Sequence, residues 1–489
     1  MRRVALRRGT YVDSVSLMQV SKRVSALPGV SAALVAMATD LNLELAVDLG
    51  FEVPASSPND LLVAVEADSE PALDVADAEV AAALSETTRP PAAGFGSAPP
   101  PVTVGAAART AAGEASLALV STPGDFAFAD AVDAVDAGLH TMVFSDNVPL
   151  AQEVALKERA AAAGVLVMGP DCGTAVVGGV GLGFANVVRP GPVGLVAASG
   201  TGAQHLMSLL DGAGIGVSHC LGVGGRDLTA AVAGRSTLQA LDLLDEDEET
   251  RLVVVVSKPP DPAVAESVRR HAAGLRTPVH LALLGPGQPD LTETAAAVVA
   301  QVGGTWAAPE HWSGTVARGR EGGSLRGLYA GGTLCDEAMV LAADRLGPVR
   351  SNIPLDPSWA LGEHLASSGH TLVDFGDDRL TRGRPHPMID GAPRAERLLA
   401  EVADPTCGVL LLDVVLGLGA ADDPAGELSG PVQQATAAGV PVVAAVVGTA
   451  DDPQGLREQV AALNAAGAWV FRSNAAAARC ALDLLAGLA

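Results

Sequence analysis

From Ala115 onward one pattern recurs: a short aliphatic run, a glycine-bearing turn, then an alanine-rich stretch of helical length. ASLALVSTP, LHTMVFSDN and VLVMGPDCGT alternate with DFAFADAVDAVDAG and LAQEVALKERAAAAG. Strands buried on both faces read as such unbroken aliphatic runs, and parallel neighbours need a helical crossover between them. The alternation therefore predicts an α/β fold of βαβ units in parallel sheets. Ligands of such sheets sit at the carboxyl ends of the strands. Here those ends read STPGD, FSDN and MGPDCGT, which makes Asn147, Asp171 and Cys172 candidates for substrate contact.

The same alternation divides the chain. Residues 1–85 predict a small N-terminal α/β module, with VALRR, SAALVAM and DLLVAVEA as strands and helices from Val12, Thr39 and Pro71. Residues 86–113 are rich in Pro, Gly and Ala and predict a linker. Residues 114–188 predict a Rossmann-type domain, and 189–302 and 325–489 predict two further parallel-sheet domains separated by an irregular segment. The last two look like diverged copies. GLVAASGT (194–201) parallels GLYAGGT (327–333), and VGGRDLT (223–229) parallels FGDDRLT (375–381). Two internal copies of a flavodoxin-like unit account for these matches.

Composition narrows the partners. With 31 basic and 56 acidic residues the net charge is −25, which argues against nucleic acid or an anionic membrane. Small anionic substrates stay open, because backbone N–H groups and a few arginines suffice to bind them. The five cysteines are widely spaced, with no CxxC and no Cys/His cluster, so no disulfide framework and no metal site is expected. The N-terminus lacks the apolar core of a signal peptide, and no apolar run reaches the length of a membrane span. The expectation is a cytoplasmic enzyme.

Several turns carry groups suited to anions. SGTGAQH places Ser199, Gly200, Thr201 and Gly202 where a strand becomes a helix, and first-turn N–H groups there have no internal partner. An ordinary capped turn uses the same residues. The turn recurs at Gly331, Gly332 and Thr333, which shifts the reading toward phosphate. GVGGRD presents Gly224, Gly225 and Arg226, where glycines admit a ligand to the backbone and arginine can grip an oxyanion. TRGRPHPMID gathers Arg382, Arg384, His386 and Asp390 around two prolines, a cationic fork beside a titratable imidazole. Cys172 is either an activated thiolate or a small loop residue. Lys258, in SKPP, meets an anion or solvent. Asp377 and Asp378, in FGDDRL, are able to hold Mg²⁺ or form a solvated loop. P-loop, G-x-G-x-x-G, HExxH and GxSxG motifs are absent.

DSVSLM, FSDNV, MGPDCGT, FANV, ASGTG, GVGGRDL, SKPP, YAGGTL, GRPHPMID and LLLDVVLG, in this order, resemble the FdrA family along almost the whole chain. More remotely, residues 115–300 resemble the CoA-binding and ligase domains of the succinyl-CoA synthetase α subunit. Residues 325–489 resemble the ligase-type carboxyl domain of its β subunit. The resemblance implies a Rossmann-like CoA-binding-type domain followed by two flavodoxin-like, succinyl-CoA-ligase-type domains. It also exposes departures. No segment remains for an ATP-grasp domain. The loop after PVHLALLG, where succinyl-CoA synthetase carries its phosphorylated histidine, reads GPGQPDLTETAAAV without one, and His280 lies inside the strand.

The FdrA family includes subunits of an oxamate carbamoyltransferase that act with two companion proteins. The resemblance thus implies a carbamoyltransferase subunit converting oxalurate and phosphate, reversibly, to oxamate and carbamoyl phosphate. In that reading the turns at 199–202 and 331–333 hold phosphate or carbamoyl phosphate. Arg226 or Arg384 clamps a carboxylate, His386 moves a proton, and no further cofactor is needed. The alternative is an acid–CoA ligase subunit that binds CoA and borrows a nucleotide-binding partner. A third reading is a non-catalytic subunit that senses an acyl phosphate or CoA.

Overall fold

A computed structural model describes residues 1–87, 101–111, 113–381 and 384–488. Half of the predicted linker, and Arg382, therefore lie outside the described residues. The linker's far end is not irregular. Val104–Thr110 is a helix capped by Thr103, and Asp133 accepts the Gly105 N–H at 2.6 Å.

In the N-terminal module, strands Arg2–Arg7, Val30–Met37 and Leu61–Ala67 form an antiparallel sheet with Leu61–Ala67 in the centre. The central strand alternates strictly. Leu61, Val63 and Val65 pack under helices Ser14–Ser25 and Glu70–Thr87, while Leu62 and Ala64 face Ala46 and Phe51 on the opposite side. Both faces of so small a sheet are covered because its strand period of two offers apolar residues to each. Leu117–Val120, His140–Val143 and Val167–Met168 then form a three-stranded parallel sheet, with helices Gly124–Asp136 and Leu150–Ala163 as crossovers.

The two predicted copies fold alike. In the first, the parallel strands run in the order Val279–Leu283, Leu252–Ser257, Val193–Ala198, Val217–Gly222. In the second the order is Trp469–Phe471, Val442–Val447, Cys407–Val415, Ser324–Tyr329, Thr371–Asp374. Each copy starts in the middle of its sheet, steps to one side, then returns and builds outward, as a flavodoxin-like unit does. The α/β, parallel-sheet reading of the sequence therefore holds.

Two details differ from it. The hairpin Thr174–Val177/Val180–Gly183 joins the first copy's sheet through Cys220 and Val176, so the sheet begins before residue 189. The segment between the copies also contributes an edge strand, His311–Trp312, antiparallel to Trp469–Phe471. Among the described residues no helix is long and apolar enough to cross a membrane.

One core binds the copies into a unit. Helices Gly200–Gly212 and Gly332–Leu346 bring Leu206, Met207, Leu334 and Met339 into it, between sheet residues such as Leu195 and Leu411. A buried ionic knot ties the Rossmann-type sheet to the first copy. Lys157 Nζ lies 2.9 Å from Glu153, 2.7 Å from Asp227 and 2.9 Å from the Val223 carbonyl. Burying charge is costly unless every partner is present, and here the ammonium has all three donors placed.

Candidate functional site

Strand Val193–Ala198 ends at Ser199, whose hydroxyl accepts the Gly202 N–H at 3.0 Å and starts the helix Gly200–Gly212. The equivalent strand of the second copy runs through Ala330 and Gly331 into the helix Gly332–Leu346. The two turns, far apart in sequence, meet head to head. Ser199 Oγ is 2.5 Å from Thr333 Oγ1. Reciprocally, Thr201 sits where a Cβ on Gly331 would fall, its side-chain atoms 2.6–2.8 Å away. The first residue of each turn thus touches the third residue of the other, the relation expected of two copies about a pseudo-twofold axis.

This approach accounts for Gly331 and bears on Gly202. A Cβ on Gly202 would overlap Ser199 Oγ and lie 2.9 Å from Thr333 Cγ2. One on Gly332 would lie 2.7 Å from Asp374 Oδ2 and 2.9 Å from Lys258 Nζ. Gly200 differs: its Cβ would meet only Thr174 Oγ1, at 3.5 Å.

The second turn carries a resident carboxylate. Asp413 accepts the N–H groups of Ala330 at 2.7 Å and Gly331 at 2.9 Å, and pairs with the buried Arg394 at 3.0 Å. Burial pushes the Asp413 carboxyl above its usual range against the pull of Arg394, and burial likewise lowers the Arg394 guanidinium. An incoming anion is left with the N–H groups at the start of each helix.

The turns form the floor of a cavity of about 1220 Å³. Lys258, at the end of strand Leu252–Ser257, projects beside Gly332. Burial works against its charge, but Asp336, Asp374 and Asp171 hold the ammonium above its ordinary range. Asp374 ends its strand with its backbone bracketed by Asn352 (3.0 and 2.8 Å) and its carboxylate accepting the Gly376 N–H at 2.9 Å. Burial pushes it up to about 7, with Lys258 opposing, and pushes Asp336 up to about 6. Asp171, in the left-handed region at φ 58°, is open to the cavity yet walled by protein. That burial, with Asp378 and Asp146 nearby, pushes it up to about 8. The floor therefore carries two carboxyls raised toward or past neutrality, Asp171 and Asp374, beside one ammonium, the kind of perturbation that marks functional sites.

A pH dependence follows from these shifts. An acid whose folded pKa is raised contributes stability that is fully present below the ordinary value of 3.8 and lost as pH rises through the folded value. Asp374→Asn removes that loss. The variant is expected to gain in unfolding midpoint over the parent protein at pH 9, to gain less at pH 5 and to gain little at pH 3; a gain no larger at pH 9 than at pH 3 contradicts the assignment.

The residues singled out by sequence divide clearly. Ser199, Gly200, Thr201, Gly331, Gly332, Thr333, Asp171, Asn147, Gly225, Arg384 and His386 line the cavity, with Arg384 exposed at its rim. Gly202 lies behind the first turn. Gly224 has φ 89° and backs onto the Pro170 carbonyl, so it shapes the loop rather than the cavity. Arg226 is not free to clamp a substrate. Its Nε pairs with Glu153 at 2.9 Å and its Nη2 donates to the Val148 carbonyl at 2.8 Å, extending the knot around Lys157.

Cys172 is buried, its thiol pushed well up by burial and then by Cys220 and Asp171, so it is no nucleophile. Asp377 pairs with Arg379 at 2.9 Å, and among the described residues no group of His, Cys, Asp and Glu is placed to hold a metal. His386 tilts over Phe184 with ring centroids 5.4 Å apart, and its Nδ1 accepts the Met388 N–H at 3.2 Å. Burial, then Arg394, pushes its pKa down to about 4. The ring is thus neutral near pH 7, with the network assigning its proton to Nε2 as a donor.

Sequence reading did not select Asp374 and Asp336, and it left Lys258 open. Asp374 did carry a signal, a lone carboxylate closing the aliphatic run HTLVD. It also missed that Leu17, Met18, Leu34 and Leu41 of the N-terminal module line the same cavity.

Residues 328–484 match the CoA-ligase family, and residues 1–99 match the heavy metal-associated domain of AllF. The chain is similar to the YahF protein of Escherichia coli K12, 36% identical over 500 residues, a match that covers 96% of each. It is similar to succinate–CoA ligase [ADP-forming] subunit alpha 2 of Archaeoglobus fulgidus, 29% identical over 149 residues, which cover 30% of this chain and 50% of that one. Among solved structures it is similar to acetyl-coenzyme A synthetase 1 of Ca. Korarchaeum cryptofilum in complex with phosphate and ADP. That match has 17% identity, covers 82% of this chain and 87% of the other, and has a TM-score of 0.31.

Proposed function

The chain belongs to the FdrA-type family of CoA-ligase-like proteins, and from that premise we propose that it is an acid–CoA-ligase-type subunit. In this reading it moves an acyl group between phosphate and a thiol carrier in the cavity above the two facing turns. The observation that carries it is the head-to-head meeting of two helix N-termini, at Gly200 and Gly332, on the floor of one cavity. The phosphate of an acyl phosphate rests on the opening N–H groups of both helices beside Lys258. The carbonyl oxygen turns toward His386 Nε2–H, which stabilises the charge that develops there. The carrier's sulfur attacks the carbonyl carbon, the C–O bond to phosphate breaks as the C–S bond forms, and the thiol proton passes to Asp374. A carboxyl near 7 is matched to that exchange at neutral pH. The nucleotide-dependent half of a ligase reaction falls to a partner subunit.

One observation favours a second reading, carbamoyl transfer between oxalurate and phosphate. Residues 284–290, after strand Val279–Leu283, contain no histidine to carry a phosphoryl group, which suits a substrate that arrives already activated. The test combines the chain with companion subunits and offers two mixtures. Thioester formed from acyl phosphate and CoA, and lost without this chain, is the expected result. Carbamoyl phosphate from oxalurate and phosphate, with no thioester in the first mixture, replaces it with the second reading.

A further inference from the structure

The match of residues 1–99 to a heavy metal-associated domain raises a direct question of donors. Soft metal ions take thiolate, imidazole or thioether ligands. Residues 1–99 contain neither cysteine nor histidine, and their methionines, Met1, Met18 and Met37, are too few donors for a closed four-ligand site. The segment joining strand Arg2–Arg7 to helix Ser14–Ser25 reads RGTYVD, with an exposed Tyr11 and with Asp13 used as the helix cap. The residues do not fit a metal.

What the module does instead is visible from its position. Lys22 donates to the Ile389 carbonyl at 2.5 Å and pairs with Glu427, which fixes helix Ser14–Ser25 to the loop that carries His386. The module thereby roofs the cavity. Its contribution is mainly aliphatic: Leu17, Met18, Leu34, Leu41 and Leu45 face a floor made of hydroxyls, carboxyls and an ammonium. Leu41 lies on the cavity wall and is absent from the clusters of packed apolar side chains in the module. An apolar side chain held in a cavity without a core partner is placed to meet a ligand.

The size of the cavity points the same way. Pockets for drug-sized ligands hold roughly 300–1,000 Å³, and this one is about 1220 Å³. An acyl phosphate alone leaves much of that volume, and all of the roof, without a partner.

We infer that the N-terminal module is a specificity wall, and that Leu41 and its aliphatic neighbours hold the flexible alkyl-amide arm of a thiol carrier whose reacting end lies over the two turns. This rests on the acyl-transfer reading above, and it assigns the module a role in ligand selection in place of metal binding.

The experiment uses the full-length chain and two probes, coenzyme A and inorganic phosphate, with binding measured by calorimetry. Leu41→Glu places a charge on the roof with little cost to packing, and Leu41→Met serves as the conservative control. The expected result is at least a tenfold loss of coenzyme A affinity in Leu41→Glu, near-parental affinity in Leu41→Met, and phosphate affinity unchanged in both. Coenzyme A affinity within twofold of the parent in Leu41→Glu overturns the inference. So does a parent protein that binds phosphate but no coenzyme A, although the phosphate site then survives. Failure of the parent to bind either probe overturns the functional reading itself. Stoichiometric capture of Zn²⁺ or Cu⁺ by the parent, lost on removal of residues 1–87 from the full chain, overturns the reassignment of the module.

Discussion

Asp413→Ala will destabilise the second flavodoxin-like copy by about 3–5 kcal/mol, the cost of breaking a buried pair from one side. Three groups lose their acceptor at once. The Ala330 and Gly331 N–H groups give up bonds of 2.7 and 2.9 Å, and Arg394 is left buried with a charge that only carbonyl oxygens meet. Each orphaned buried donor accounts for about 1–3 kcal/mol of that cost, as desolvation that folding no longer offsets. All four tryptophans fall between residues 306 and 469, in the second copy and the segment that leads into it, and Trp306 and Trp469 pack against the core that the copies share. Their fluorescence during denaturant unfolding reports that copy and the shared core, and the midpoint is expected to fall while the slope with denaturant stays the same. A shift worth less than 1 kcal/mol would mean that water or another side chain already satisfies the turn.

Gly200→Val is expected to have the opposite profile: an intact fold and a binding site that no longer works. The new Cβ meets only Thr174 Oγ1, at ordinary contact distance, so the helix start tolerates the side chain. Its methyl groups then stand over the opening N–H groups of helix Gly200–Gly212, the position proposed for the substrate's phosphate. Phosphate affinity should drop at least a hundredfold with the unfolding midpoint within about 0.5 kcal/mol of the parent, the range of an innocuous substitution. Gly331→Ala makes the contrast. Its Cβ is driven into the Cβ, Cγ2 and Oγ1 of Thr201, which pries the copies apart and lowers stability and binding together. Undiminished phosphate binding in Gly200→Val removes the first turn from the site.

The two copies and their glycine turns were legible because their signals are local. An aliphatic run followed by a glycine turn declares a strand and a helix start whatever surrounds it, and the pair GLVAASGT and GLYAGGT declares the duplication. The meeting of the turns was not legible. It depends on Ser199 touching Thr333 and Thr201 touching Gly331, contacts fixed by how the copies dock. For the same reason Arg226 misled: from its loop it looks like a free cation, but the fold delivers Glu153 from another domain to neutralise it. Cys172 stood open between an activated thiolate and a small loop residue, and its burial decides for the loop residue. Asp374 was overlooked because a carboxylate at a strand end is ordinary; its neighbours Lys258 and Asp336 come from elements distant in sequence. The roof was hidden for a simpler reason. The leucines of the N-terminal module read as core residues, and only the docking of Lys22 on Glu427 and Ile389 turns one face of the module toward the cavity.

The central claim is that the facing turns hold the anionic group of the substrate. Its most direct measurement is a crystal of the full chain soaked in selenate, whose charge is fixed and whose selenium is located by anomalous scattering. A peak is expected within hydrogen-bond distance of the Gly200 and Gly332 N–H groups, close to Lys258 and absent from the Gly200→Val variant. Saturating selenate that leaves the turns empty and settles instead at Arg384 would contradict that claim.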